Sequence, residues 1–165
     1  MKKNLLSLVS LIIVCVSATA QNEKQTGGIK FGVGGAIGLP FGTFKHIESM
    51  AYEGGVLAEF PESKYVNITG SVAYTSFTGK NGFTIDGGAV PILLGVKVKL
   101  QQNFYGHLQL GPSFPTTGDG GAAFTYSPSL GYQVSSHFDL SIRYFAATRK
   151  KVTESYLGLR FGYTF

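Results

Sequence analysis

Val90-Pro91-Ile92-Leu93-Leu94-Gly95-Val96-Lys97-Val98-Lys99-Leu100 is the stretch that decides how this chain folds. Val90, Ile92, Leu94, Val96, Val98 and Leu100 take every second position, and Pro91, Leu93, Gly95, Lys97 and Lys99 lie between them. Successive side chains of a strand point to opposite faces, so a period of two marks a strand with one apolar face and one more polar face. Gln101-Gln102-Asn103 then turns the chain, and Phe104 to Phe114 returns with Tyr105, His107, Gln109, Gly111 and Ser113 on its polar side. Two such strands joined by a tight turn make an antiparallel hairpin.

The same period extends in both directions. Upstream, Ile29, Phe31, Val33, Gly35, Ile37 and Leu39 alternate with Lys30, Gly32, Gly34, Ala36 and Gly38, a second strand spans Gly55 to Phe60, and a third places Asn67, Thr69, Ser71, Ala73 and Thr75 on its polar face. Downstream, Phe124 to Val134, Phe138 to Phe145 and Tyr156 to Phe165 complete a set of eight strands, counting the hairpin above as the fourth and fifth. The expected connections alternate in length. Pro40–Glu53, Thr78–Gly88, Pro115–Gly121 and Ala147–Glu154 are long; Pro61–Lys64, Gln101–Asn103 and Ser135–His137 are short. An even strand number with one loop end and one turn end predicts an all-β, eight-stranded antiparallel up-and-down transmembrane β-barrel. Ten strands stay open if Phe83 to Gly87 or part of the first loop also pairs.

Composition agrees. Lys2 and Lys3, the apolar run Leu5 to Val16 and Ala18-Thr19-Ala20 read as a secretory signal peptide over residues 1–20, leaving 21–165 as one barrel domain. Cys15, the single cysteine, lies inside that signal, which excludes disulfides, Cys-ligated metal and thiol chemistry from the mature chain. All 23 glycines fall in the mature part, about twice the usual share of ~7%. Loss of the two signal lysines lowers the formal charge from +5 to +3, too mild for a nucleic-acid partner. No mature stretch reaches the ~18 consecutive apolar residues of a spanning helix, so membrane entry has to be by strands.

Alternation does not say which face points outward, and a soluble lipocalin-like barrel is the competing reading. Three features favour apolar-out: glycines interleave with long charged residues on the polar face, aromatics recur at strand ends, and no apolar strand centre carries a charge. Lys30, Glu59, Lys97, Lys99, His107, Gln109, Asp139, Arg143 and Arg160 then point into the lumen. Asp139, Arg143 and Arg160 are expected to form a network on adjacent strands, with Lys30 brought into range by closure.

The last residues, Gly158-Leu159-Arg160-Phe161-Gly162-Tyr163-Thr164-Phe165, resemble the C-terminal β-signal of bacterial outer-membrane proteins, carried by Leu159, Phe161, Tyr163 and the terminal Phe165. The hairpin from Val90 to Gly111 is similar to the small porin-like outer-membrane β-barrel family common in Bacteroidota. The resemblance implies the outer membrane of a Gram-negative cell as location and the barrel-assembly machinery as a partner during biogenesis. It implies no particular activity.

Few residues of the sequence mark chemistry. Gly32-Val33-Gly34-Gly35-Ala36-Ile37-Gly38 lacks the third glycine of a dinucleotide fingerprint and precedes no helix pattern. His46, His107 and His137 show no metal-ligand spacing, and none is followed two residues later by the serine of a lipid A deacylase. No catalytic, cofactor or metal residue is assigned. Arg149-Lys150-Lys151, in the last connection, is a candidate contact for lipopolysaccharide phosphates. The expected role is a monomeric, non-enzymatic barrel serving envelope integrity or surface contact. A narrow solute channel and a periplasmic binding barrel are the alternatives.

Overall fold

The structure, a computed structural model, describes residues 28–80, 87–118 and 121–165. The expected signal over residues 1–20 and most of the segment Phe83 to Gly87 lie outside the described residues. Eight strands follow one another: β1 (Lys30–Phe41), β2 (Glu48–Pro61), β3 (Val66–Gly79), β4 (Gly88–Gln101), β5 (Phe104–Pro115), β6 (Ala123–Gln133), β7 (Phe138–Arg149) and β8 (Val152–Thr164), with one short 3-10 turn at Gly42–His46. Each strand pairs antiparallel with its sequence neighbours, and β1 pairs with β8, closing the barrel at eight strands. The chain enters and leaves at one end, called here the terminal end. The opposite, loop end carries the connections after β1, β3, β5 and β7.

Side-chain accessibility fixes the two faces. Leu94 is 71% exposed, Leu130 68% and Ile142 61%, whereas Thr69 and Thr125 are fully buried. In a soluble barrel the apolar set would be enclosed; here it forms the outer wall, and hydroxyls, amides and charges fill the inside. Strands of 11 to 14 residues are long enough to span a hydrocarbon layer, which takes ~9–11 tilted residues. The molecule is therefore a transmembrane-type β-barrel.

Aromatics concentrate near both ends of the outer wall. At the terminal end Tyr163 packs edge-on against Phe138 and Phe165, at centroid distances of 5.1 and 5.3 Å, and Phe104 against Tyr132 at 4.9 Å. Amphipathic rings at these heights suit the polar–apolar boundary of a bilayer.

Glycine does steric work along the β1–β8 seam. Gly34 faces Gly162 and Gly38 faces Gly158 in register. A Cβ on Gly38 would lie 2.5 Å from the Tyr156 ring, and one on Gly162 would lie 2.3 Å from the Asp139 carboxylate. These positions stay empty so that long polar side chains on neighbouring strands can cross the narrow interior.

The strands run longer than the sequence suggested. The expected loop Pro40–Glu53 shrinks to residues 42–47, because β2 begins at Glu48. Part of the first loop does pair, but it lengthens an existing strand and adds none. The expected loop Ala147–Glu154 is a tight turn of Lys150 and Lys151, both at positive φ (47° and 70°). That is the backbone of a two-residue hairpin whose twist matches its strands.

Candidate functional site

The interior is organised around Glu53, on β2. Its carboxylate accepts from Arg143 of β7, from the Tyr156 hydroxyl of β8 at 2.7 Å and from Thr75 of β3 at 3.3 Å. Arg143 also donates to Ser127 on β6. Five strands thus meet at one ion pair across the barrel axis. Above it, toward the loop end, Tyr156 stacks on Phe145 at 5.0 Å and meets Phe77 edge-on at 6.1 Å; with Ala51 and Ala147 they form an apolar disc inside the lumen.

Toward the terminal end lie two more pairs. Lys97 donates to Glu59 at 2.7 Å and sits 4.3 Å from the centre of the Tyr105 ring. Asn67 donates to the other Glu59 oxygen at 2.8 Å. Asp139 accepts from Arg160 at 3.2 Å and from the Tyr105 hydroxyl. Between the pairs, His107 Nε2 bonds with Thr69 at 2.9 Å and Gln109 donates to Ser71 at 2.7 Å; nearer the loop end Ser113 bonds with Thr125 at 2.6 Å. A charge taken out of water has to be paired and hydrogen-bonded, and each of these is.

What remains open is small in the middle and larger at the mouths. The central void, beside Glu53, Arg143 and Arg160, is about 20 Å³. The loop-end mouth holds about 330 Å³, lined by Phe44, Ser113, Pro115, Arg149, Lys150 and Glu154 among others. The terminal mouth holds about 150 Å³, with Lys30, Glu59, Lys97 and Lys99 in its wall.

Of the lumen residues singled out by sequence, Glu59 and Lys97 meet, Asp139 and Arg160 meet, and His107 bonds to Thr69. Two details differ from expectation. Arg143 pairs with Glu53, not with Asp139. Lys30 lies at the terminal mouth, since β1 meets Arg160 at Ala36, six positions further along the strand. Lys99 is also at that mouth. Glu53, the last residue of the expected connection Pro40–Glu53, lies within β2. The signal for it was present: Ala51, Glu53, Gly55, Leu57 and Glu59 continue the alternation against Tyr52, Val56 and Phe60. Gly54-Gly55 and the preceding polar run hid it, because glycine pairs read as a break.

At the loop end, Glu48 and Glu154 share a hydrogen bond. Both stand at the rim: Glu48 is the first residue of β2, and Ser155 is already level with Phe41, the last of β1. Glu48 is 4% exposed, and its Oε2 has no hydrogen-bond partner among the described residues. Burial first, then the Glu154 carboxylate, pushes the Glu48 carboxyl up to about 8. Burial also raises Glu154, but its bond with Glu48 works the other way, so Glu48 holds the proton and donates it. The Arg149-Lys150-Lys151 cluster stands beside this pair, with Arg149 donating to the Gly121 carbonyl at 3.3 Å and Lys150 and Lys151 exposed. Leu159, Phe161 and Tyr163 face outward on β8, and Phe165, one residue past its end, is exposed.

No protein-family model matches the chain, and no curated protein matches its sequence. Solved structures do match in fold. A de novo designed transmembrane β-barrel superposes with a TM-score of 0.58 at 16% identity, covering 87% of this chain and all of that one. Ail, the attachment invasion locus protein of Yersinia pestis, gives 0.57 at 15% identity, covering 83% and 97%. Ail in complex with the heparin analogue sucrose octasulfate gives 0.50 at 14% identity, covering 83% and 97%. At such identities the likeness is one of architecture: this chain has the fold of small transmembrane barrels.

Proposed function

We propose that this chain is a non-enzymatic integral barrel of a bacterial outer membrane, of the small porin-like kind found in Bacteroidota. Residues 1–20 direct its export, and the β8 pattern Leu159, Phe161, Tyr163 and Phe165 presents it to the assembly machinery. The terminal end faces the periplasm and the loop end faces outward. Its work is contact at the outer surface and support of the envelope. The observation that carries this reading is the filled lumen: the Glu53–Arg143 pair and the aromatic disc above it occupy the axis, so what the barrel offers to other molecules is its rims. The same feature argues against the narrow-channel reading.

Arg149, Lys150 and Lys151 are the part of the outer rim best suited to a partner. All three are exposed at the loop-end rim, and ammonium and guanidinium groups pair well with the phosphates of lipopolysaccharide. Ail, with its similar fold, was solved with a polyanionic sugar; a polyanion is the ligand class this turn would meet.

Envelope fractionation with boiled and unboiled gel samples tests the proposal. Outer-membrane recovery and a mobility shift on boiling are expected. Recovery in the soluble periplasmic fraction would overturn it. Replacing Arg149, Lys150 and Lys151 by serine is expected to raise detergent sensitivity of the cells and to weaken retention on lipopolysaccharide; unchanged behaviour in both would remove the lipid contact and leave the barrel assignment standing.

A further inference from the structure

The terminal mouth is electrostatically unbalanced. Lys30 of β1 stands directly opposite Glu59 of β2 in the strand register. Opposite charges at such positions ordinarily pair across the strands. Here Glu59 turns the other way: one carboxylate oxygen takes Lys97, two strands along, and the other takes Asn67. The second carboxylate at this depth, Asp139, is held by Arg160 and Tyr105. No ion pair among the described residues involves Lys30 or Lys99, and both are exposed toward the opening. The cavity of about 150 Å³ is therefore walled by three lysines and one carboxylate already in use. Around them Gln102 and Gln133 supply amide groups that can donate hydrogen bonds, and Asn103, whose amide donates to the Tyr132 hydroxyl at 3.5 Å, keeps a second N–H.

We infer that this mouth is a binding site for a phosphate oxyanion. Two ammonium groups without a carboxylate partner bring the positive charge. Side-chain amides bring neutral donors. The cavity has room for a tetrahedral group with several waters, at roughly 30 Å³ per water. A lysine ammonium is a compact point charge that suits phosphate without demanding a planar fork. The inference goes beyond the proposed function and does not depend on which compartment the terminal end faces. The phosphate can come from solution or from a lipid headgroup at the rim, where Lys30 lies between the outward-facing Ile29 and Phe31.

The test uses the full mature chain folded in a maltoside detergent, which contains no phosphate. Inorganic phosphate is titrated against sodium chloride of matched ionic strength while amide NMR signals are followed. At the terminal end, saturable shifts are expected at Lys30, Lys99, Gln102, Asn103 and Gln133. Affinity should fall at least tenfold in K30M/K99M, severalfold in each of K30Q and K99Q, and not at all in K45S, which removes an exposed lysine at the other end. Folding of each variant is checked by its heat-dependent gel mobility, and the single glutamine variants serve if the double variant does not fold. A short-chain phosphatidylglycerol that shifts the same signals and competes with phosphate identifies the headgroup as a source; shifts by phosphate alone identify the soluble anion. Shifts that chloride reproduces, or that survive removal of both lysines, would show screening of surface charge and overturn the site.

Discussion

Glu53 shows what a single buried carboxylate does in a barrel of this width. It is the shared acceptor for Arg143, Tyr156 and Thr75, so its removal strands a guanidinium in the interior. Breaking a buried pair from one side costs about 3–5 kcal/mol, whereas replacing both partners with apolar groups can be close to neutral. E53M and R143M are each expected to lower the denaturant midpoint strongly, and the double variant is expected to be less destabilised than the sum of the two. Additive losses in that cycle would contradict the hub. Glu48 carries a second expectation. Its carboxyl stands near 8 in the folded chain and near the ordinary 4.5 when unfolded, so the folded state binds the extra proton. The resulting stability is fully present below about 4.5 and is lost as pH rises through 8. Unfolding midpoints at pH 5 and pH 9 should therefore differ more for the native chain than for E48Q; equal differences would mean Glu48 is not protonated in the fold.

At the scale of strands and turns, the period-two pattern was legible wherever it ran unbroken. Val90 to Leu100 and Tyr156 to Phe165 were placed on the correct faces because residue parity alone determines the face. The strand ends were not legible. Gly54-Gly55 concealed the continuation of β2 to Glu48, and with it the centre of the polar network. Arg149-Lys150-Lys151 read as an open basic loop, but no glycine or asparagine marks the two left-handed positions. Lysine there bears a conformational cost that Asn-Gly would not. K150N/K151G is expected to raise the unfolding midpoint by an amount equivalent to about 0.5–1 kcal/mol. A lower midpoint would show that the lysine side chains hold the turn through contacts that outweigh their backbone cost.

For the molecule as a whole, the closed cylinder and its inverted polarity were readable from strand count and alternation. Asp139 with Arg160, on adjacent strands, was readable too; the partners that meet across the lumen were not, because they depend on which strands face one another, and register is set by closure. Arg143 and Glu53 are 90 residues apart and on non-adjacent strands. Their junction, with Tyr156 and Phe145, predicts a conductance near background in planar bilayers. Truncating the aromatic disc (F145A/Y156A) should raise it if that disc is the tightest point, whereas a native chain that already conducts steadily would refute a filled lumen.

Seven of the eight strand pairings join neighbours in sequence, and the eighth joins the first strand to the last. Hairpins can therefore form locally and quickly, but the ring has no partial form without two raw edges. The final seam pairs β1 with β8 as far as Thr164, so closure waits for the last strand and carries the entropy of gathering all the strands between them. Inter-strand hydrogen bonds along that seam are what keep β1 and β8 from remaining sticky templates for other polypeptides. A chain ending before β8 would be a different substance: an open, outwardly apolar ribbon with two unsatisfied borders, prone to aggregate rather than to insert.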